Sequence, residues 1–227
     1  MIFMSNGRVY DSFYDVPFES QYGVGSHGKS GLRFSQTEII HLLISVSVLT
    51  IAFSLAFSQN LTSSWSLTAV IFYLPRSLLA IVTAFVCHEL AHKYMGQKYG
   101  FWSEFRMFPQ GLLLALVLSV FGFVFAAPGA VQIYGTPGKK AYGHISVAGP
   151  LTNMVISVLF IGISFIFGGM IREVAFFIGY INIFLALFNL LPFGPLDGRK
   201  VMSWRFDVWI ILFILCIAIF GFFLISF

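Results

Sequence analysis

A chain of 227 residues that is 58% hydrophobic and 10% charged, with 28 Phe and a mean hydropathy of +0.89, does not have the composition of a soluble domain, in which about a quarter of residues are charged. Several uncharged runs approach the ~20 residues that cross a bilayer. The expected fold is an all-α polytopic membrane protein, with about five to six transmembrane helices and a re-entrant, β-hairpin-like element, whose surroundings are the lipid bilayer. A net charge of +4 in such a chain gives no sign of nucleic-acid binding; what matters is which loops carry the Lys and Arg. Nothing in the composition sets an oligomeric state.

Residues 1–33 are polar, rich in Gly, Ser and Tyr, and read as an N-terminal arm; residues 34–227 read as the membrane-embedded domain. Met1-Ile2-Phe3-Met4-Ser5 has no basic segment ahead of an apolar one, so no cleavable signal peptide is expected. The first apolar run is Ile39 to Phe57, with His41 near its start read as an interfacial residue. The loop from Ser58 to Trp65 is uncharged, and Trp65 suits an interface.

Leu67 to Gly100 is too long for one ordinary span, and Leu74-Pro75-Arg76 interrupts it. Proline is well tolerated in a first helical turn, so the pattern predicts a helix starting at Pro75 or Arg76 and ending near Gly96 to Gly100. That helix contains His88-Glu89-Leu90-Ala91-His92, an H-E-x-x-H motif. Residues four apart share a helix face, so both imidazoles reach one ion. In this motif the ion is zinc, and the intervening Glu serves as general base. The setting is unusual: Ser77 to Cys87 carries no charge, so the metal site belongs to an apolar helix. His88 is about 15 Å along the axis from Lys98, which puts the site nearer the Lys-bearing side of the membrane. Cys87 and Cys216, both in apolar runs, read as small buried hydrophobes.

Residues 107–138 hold no charge, and Gln110 to Ala127 is long enough to be a further span. Three clearer runs follow: His144 to Phe167, Val174 to Leu191 and Val208 to Phe227. If 107–138 enters and leaves on one side, Arg76 and Arg172 are the only ones of the 13 Lys and Arg on the opposite side. If it spans, the split is seven to six. The positive-inside rule prefers the first, giving a cytoplasmic N-terminus, five crossings and one re-entrant element in a cell-membrane protein whose site faces the cytoplasm. A sixth span is the alternative. Non-helical backbone at that depth requires burial by protein or access to water. The alternation in Ala130-Val131-Gln132-Ile133-Tyr134 is strand-like, either an edge for a substrate strand or a plain loop.

A catalytic zinc takes three protein ligands and leaves a position for water. Asp197, which closes an apolar run broken by Pro192 and Pro195, is a candidate third ligand; the other reading is that it caps the next helix. Asn153, Asn182, Asn189 and Ser146 lie in apolar runs and offer a polar route for water. Asn153 is read either as a hydrogen-bond donor to substrate backbone or oxyanion, or as a helix–helix contact. Asn189 carries the same pair of readings, its structural version being support of the broken helix.

The apolar H-E-L-A-H helix, then Ala148-Gly149-Pro150-Leu151-Thr152-Asn153, then N-x-x-P-x-x-P-L-D-G from Asn189 to Gly198, resembles the site-2 protease family of intramembrane zinc metalloproteases (peptidase family M50). The motifs fall in the family's order and cover the chain from about residue 75 to 200. The resemblance implies that His88, His92 and Asp197 bind zinc and that Glu89 is the base. It implies hydrolysis of peptide bonds in or near the transmembrane segments of membrane-protein substrates, as in regulated intramembrane proteolysis. Two departures concern the helix count. The stretch between the metal helix and Ala127-Pro128-Gly129 is longer than in short members, and one apolar run follows Asp197 where some members have more. A competing reading is a metal-binding membrane transporter or channel built on the same His and Asp, but it leaves Glu89 without a purpose.

Overall fold

A computed structural model of the chain describes residues 3–5, 8–10, 31–62, 66–124 and 127–226. Trp65 and most of the N-terminal arm lie outside them. Residue contacts divide the chain into 1–33 and 34–227. The first unit contains a two-stranded antiparallel hairpin, β1 Phe3–Ser5 with β2 Arg8–Tyr10.

The second unit is helical. Its elements are α1 (Gln36–Thr62), α2 (Leu67–Lys98), β3 (Trp102–Met107), α3 (Pro109–Ser119), β4 (Gly129–Tyr134), α4 (Lys139–Ile166), α5 (Gly169–Asn189), α6 (Asp197–Trp204) and α7 (Phe206–Ser226). Helices α1, α2, α4, α5 and α7 are long and apolar enough to cross a bilayer. Their outward faces carry Leu43, Leu67, Phe165, Ile166 and Ile225, all exposed. So large an apolar surface on a folded chain is the mark of a lipid-facing one.

The expected start of the metal helix needs correction. Instead of beginning at Pro75 or Arg76, α2 begins at Leu67, behind an N-cap Ser66 whose hydroxyl accepts a bond from the Ala69 N–H at 3.4 Å. Pro75 sits inside the helix. Proline removes one donor and one intrahelical bond, but in lipid the remaining backbone groups have no water to turn to, so the helix continues. Residues Val82–Val86 form a π turn within α2, just ahead of the H-E-x-x-H segment.

The segment from β3 to β4 does not cross. Helix α3 has 11 residues, about 16 Å of rise against a ~30 Å hydrocarbon core. Its two ends return to one place. Met107 pairs with Gly129 in the β3–β4 ladder, and the Phe108 N–H donates to the Pro128 carbonyl at 2.8 Å. The re-entrant expectation therefore holds over the sixth-span alternative, and the strand-like alternation after Gly129 is a strand. Its partner β3 was not expected.

Three apolar clusters hold the unit together. Met154, Ile183, Ala186, Val201, Trp209 and Phe223 join α4 to α7. Leu49, Ala52, Ile81, Phe85, Phe105, Leu112 and Ala115 join α1, α2, β3 and α3. Ala80, Ala84, Ile178 and Ile181 close α2 on α5. Between the first elements runs a buried polar knot. Lys93 and Glu38 are fully buried, with Nζ 2.6 Å from Oε2. Lys93 also donates to the Ser103 carbonyl at 2.8 Å, and the Phe105 N–H donates to Glu38 Oε1 at 2.9 Å. One ion pair thus ties α1, α2 and β3.

Breaking a buried ion pair by removing one partner costs about 3–5 kcal/mol. Glu38→Gln and Lys93→Met are each expected to lower the thermal midpoint of the detergent-purified protein. The double variant Glu38→Met/Lys93→Met should lose clearly less than the two single losses added together. Strictly additive losses would contradict the pairing.

Candidate metal centre

The site forms where α2, β4, α4 and α6 meet. On α2, His88, Glu89 and His92 are all buried, and a one-turn separation directs both imidazoles to one side. The His92 Nδ1 lies 2.7 Å from the Ile145 carbonyl on α4. A carbonyl only accepts, so Nδ1 carries the proton and the lone pair of a neutral His92 is on Nε2. That Nε2 lies 3.0 Å from the His88 Nε2.

Asp197 arrives from the far end of the sequence. It is the first residue of α6, with Leu196 as N-cap, so the capping alternative does not describe it. Its Oδ2 is 3.3 Å from His88 Nε2 and 3.0 Å from His92 Nε2. The loop that delivers it is pinned by the Trp209 indole N–H, which donates to the Leu190 carbonyl at 2.8 Å. Gly198 allows α6 to start against the end of α5, since a Cβ there would strike the Leu190 and Leu191 carbonyls.

The donor set fits zinc. Bonds of about 2.05 Å in a tetrahedral shell put donors about 3.3 Å apart, and the three donor atoms lie 3.0–3.3 Å from one another. His92 Nε2 and the Asp197 carboxylate oxygen are both acceptors when His92 is neutral, so their contact is answered either by a proton on Nε2 or by a metal cation that both share. The backbone of α4 makes room for one: a Cβ on Gly149 would fall on the Nε2 atoms of both imidazoles. The His88 Nδ1 is buried and has no hydrogen-bond partner among the described residues.

Glu89 stands beside this set, outside it. Its Oε2 accepts the Val131 N–H of β4 at 3.1 Å. Glu89, the three donors, Val131, Ser146, Asn189 and Lys200 line a cavity of about 530 Å³. Lys200 Nζ lies 3.0 Å from the other Asp197 oxygen, Oδ1. Burial works against the charge on Asp197, yet His92, His88 and Lys200 hold its carboxyl well below the usual range. Burial also lowers Lys200, but Asp197 outweighs it and holds the ammonium above its ordinary value.

The two asparagines part company. Asn189 lies on the cavity wall, its amide donating to the Leu185 carbonyl at 3.1 Å. Asn153 is fully buried and is not part of that wall. It donates to the carbonyl of Ala84 in the π turn at 3.0 Å and to that of Asn182 at 3.5 Å, tying α4 to α2 and α5. Asn182 in turn donates to the Thr83 hydroxyl at 3.1 Å. The sequence reading placed Val131 in a strand-like stretch and counted Lys200 among the charges, but put neither at the metal site. Lys200 was open to discovery, since it stands three residues after Asp197 on one helix. The contribution of Val131 is a backbone N–H, which leaves no trace in residue identity.

No family profile matches the chain, and no solved structure matches it. It is 42% identical over 185 residues to "Putative zinc metalloprotease MJ0611" of Methanocaldococcus jannaschii, an alignment covering 79% of this chain and 90% of that protein. It is 29% identical over 154 residues to "Putative zinc metalloprotease YwhC" of Bacillus subtilis, covering 57% and 68%. It is 31% identical over 133 residues to "Putative zinc metalloprotease Rip3" of Mycobacterium tuberculosis, covering 55% of this chain and 30% of the relative. With two imidazoles and a distant aspartate gathered in an apolar helical unit, and with this likeness running through most of its length, the chain belongs to the site-2 protease family of intramembrane zinc metalloproteases.

Proposed function

We propose that this chain is a zinc-dependent endopeptidase working inside the membrane, and that it cuts peptide bonds in or near transmembrane segments of other membrane proteins. The observation that carries the reading is that Asp197 meets His88, Glu89 and His92, which an apolar helix of 32 residues carries, on one cavity. A metal transporter using the same His and Asp has no role for a carboxylate held next to the donor set but outside it. The metalloprotease names of the relatives support the peptidase reading over the transporter.

His88, His92 and Asp197 would hold the ion. Zinc bound there supplies Lewis acidity, which makes water a nucleophile near neutral pH and polarises a peptide carbonyl. Glu89 moves the proton: it takes it as water attacks the carbonyl carbon, then passes it to the departing amine. The Val131 N–H engages one carboxylate oxygen, leaving the other for this transfer. Ser146, Tyr142, Asn189 and Lys200 give water polar footing in the cavity.

Strand β4 offers the substrate a backbone partner. Phe105 and Val131 face each other across the ladder, yet their N–H groups bond outward, to Glu38 and Glu89. They form a non-hydrogen-bonded pair, so the outer edge of β4 carries the remaining groups of every second residue toward the cavity it lines. An unwound stretch of substrate adds to that edge. A transmembrane helix has its carbonyls occupied, so unwinding precedes attack, and residues that weaken the helix near the cut favour it. Asn189, on the wall, is the asparagine this reading assigns to substrate backbone; Asn153 is assigned to holding α2.

Charge supports one orientation. The five helices leave Arg76 and Arg172 at one face, where Arg76 pairs with Glu173 at 3.5 Å. Lys98, Arg106, Lys139, Lys140 and Arg199 lie toward the other, which the positive-inside rule assigns to the cytoplasm.

Purified protein is expected to cut a model transmembrane segment, to stop when zinc is chelated and to resume when it is restored. Glu89→Gln should lower the cleavage rate about 10²–10⁴-fold while metal analysis still finds zinc; cleavage at the wild-type rate would remove Glu89 from the chemistry. In a background lacking Cys87 and Cys216, Lys140→Cys should react with an impermeant maleimide only after cells are permeabilised. Reaction in intact cells would reverse the orientation.

A further inference from the structure

The Asp197 carboxylate is divided between two kinds of partner. Its Oδ2 faces the two imidazoles at 3.3 and 3.0 Å, and its Oδ1 faces the Lys200 ammonium at 3.0 Å. The division is built into α6: Lys200 follows Asp197 by three residues, so the two lie on one face. The cavity-lining ammonium has about a third of its side chain exposed, whereas Asp197 is buried. We propose that Lys200 is a positioning residue for the metal site, holding Asp197 Oδ1 so that the carboxylate offers zinc a single oxygen.

A carboxylate with both oxygens available can grip a cation with both. Here that would fill the position that a catalytic site keeps for water or substrate. Engaging Oδ1 keeps the protein donors at three. The same contact fixes the carboxylate plane, the task that hydrogen-bonded partners of metal ligands commonly perform. The inference rests on the zinc reading above, not on peptide cleavage.

The charge of Lys200 makes the test sharp. An ammonium near a divalent cation repels it, so a lysine that acted only as a nearby charge would weaken zinc binding, and removing it would tighten the site. A positioning lysine gives the opposite sign. Lys200→Met and Lys200→Gln should weaken zinc about 10–100-fold in competition with a chelator, the usual loss when a ligand's supporting partner is removed. In the cobalt-substituted protein, both changes should shift the visible bands as the second Asp197 oxygen joins the ion. Lys200→Arg, which still reaches Oδ1, should restore both affinity and spectrum. The readings use full-length protein in detergent that keeps its far-ultraviolet helix signal and elution volume, and the methionine and glutamine variants cover for each other if one misfolds. Unchanged or tighter zinc with an unchanged cobalt spectrum overturns the proposal. Wild-type protein that binds no zinc overturns this proposal and the proposed function together. Wild-type protein that binds zinc but cuts nothing, with the Lys200 variants behaving as stated, overturns only the function.

Discussion

Lipid offers a polar group nothing to bond with, so a buried charge in this fold has to be answered by another part of the chain. That constraint organises the structure around α2. Lys93 is on the same helix as the imidazoles and has no exposed surface. Its charge is met by Glu38 from α1 and by the Ser103 carbonyl from β3. Answering one lysine therefore gathers three elements, and the apolar cluster around Phe85 and Phe105, whose rings meet edge to face at 5.4 Å, fills the space beside them.

The β3–β4 hairpin links this support to the site. Its β3 edge is spent on structure: Phe105 bonds Glu38, and the Met107 N–H reaches His41 at 3.4 Å. Its β4 edge faces the cavity, where Val131 holds Glu89. Two strands are too few to be stable alone, and here one side is anchored so that the other is held against Glu89. The short helix α3 and its return loop close the hairpin without crossing.

The candidate metal donors come from one helix and one distant turn, and the packing between them is made of small groups. Gly149 lets α4 lie against the imidazole nitrogens, and Gly198 lets α6 begin against the end of α5. Asn153 reaches from α4 to the π turn, one helical turn before His88, and to Asn182. A π turn is a place where the regular ladder is disturbed and its carbonyls are open to side chains. The asparagines secure that disturbance, which keeps the following turn of α2 in a defined orientation.

Much of this was legible in the residues. Hydropathy located the five long helices, because a bilayer demands a fixed apolar length. The His88 and His92 spacing fixed their common face, because helix geometry is local. Charge parity favoured a re-entrant reading of the uncharged stretch 107–138 over a sixth span. The start of α2 was misread because proline is a local signal and the apolar medium overrode it. The family resemblance had put Asp197 with the imidazoles, and the structure brings it there rather than to a cap; what the tertiary structure alone decided is Val131 with Glu89, Lys93 with Glu38, Asn189 on the cavity wall and Asn153 off it. A side chain's type and its neighbours along the chain set its own element, but contacts between residues far apart in the chain depend on how helices cross and where backbone donors point, and neither is written at any single position.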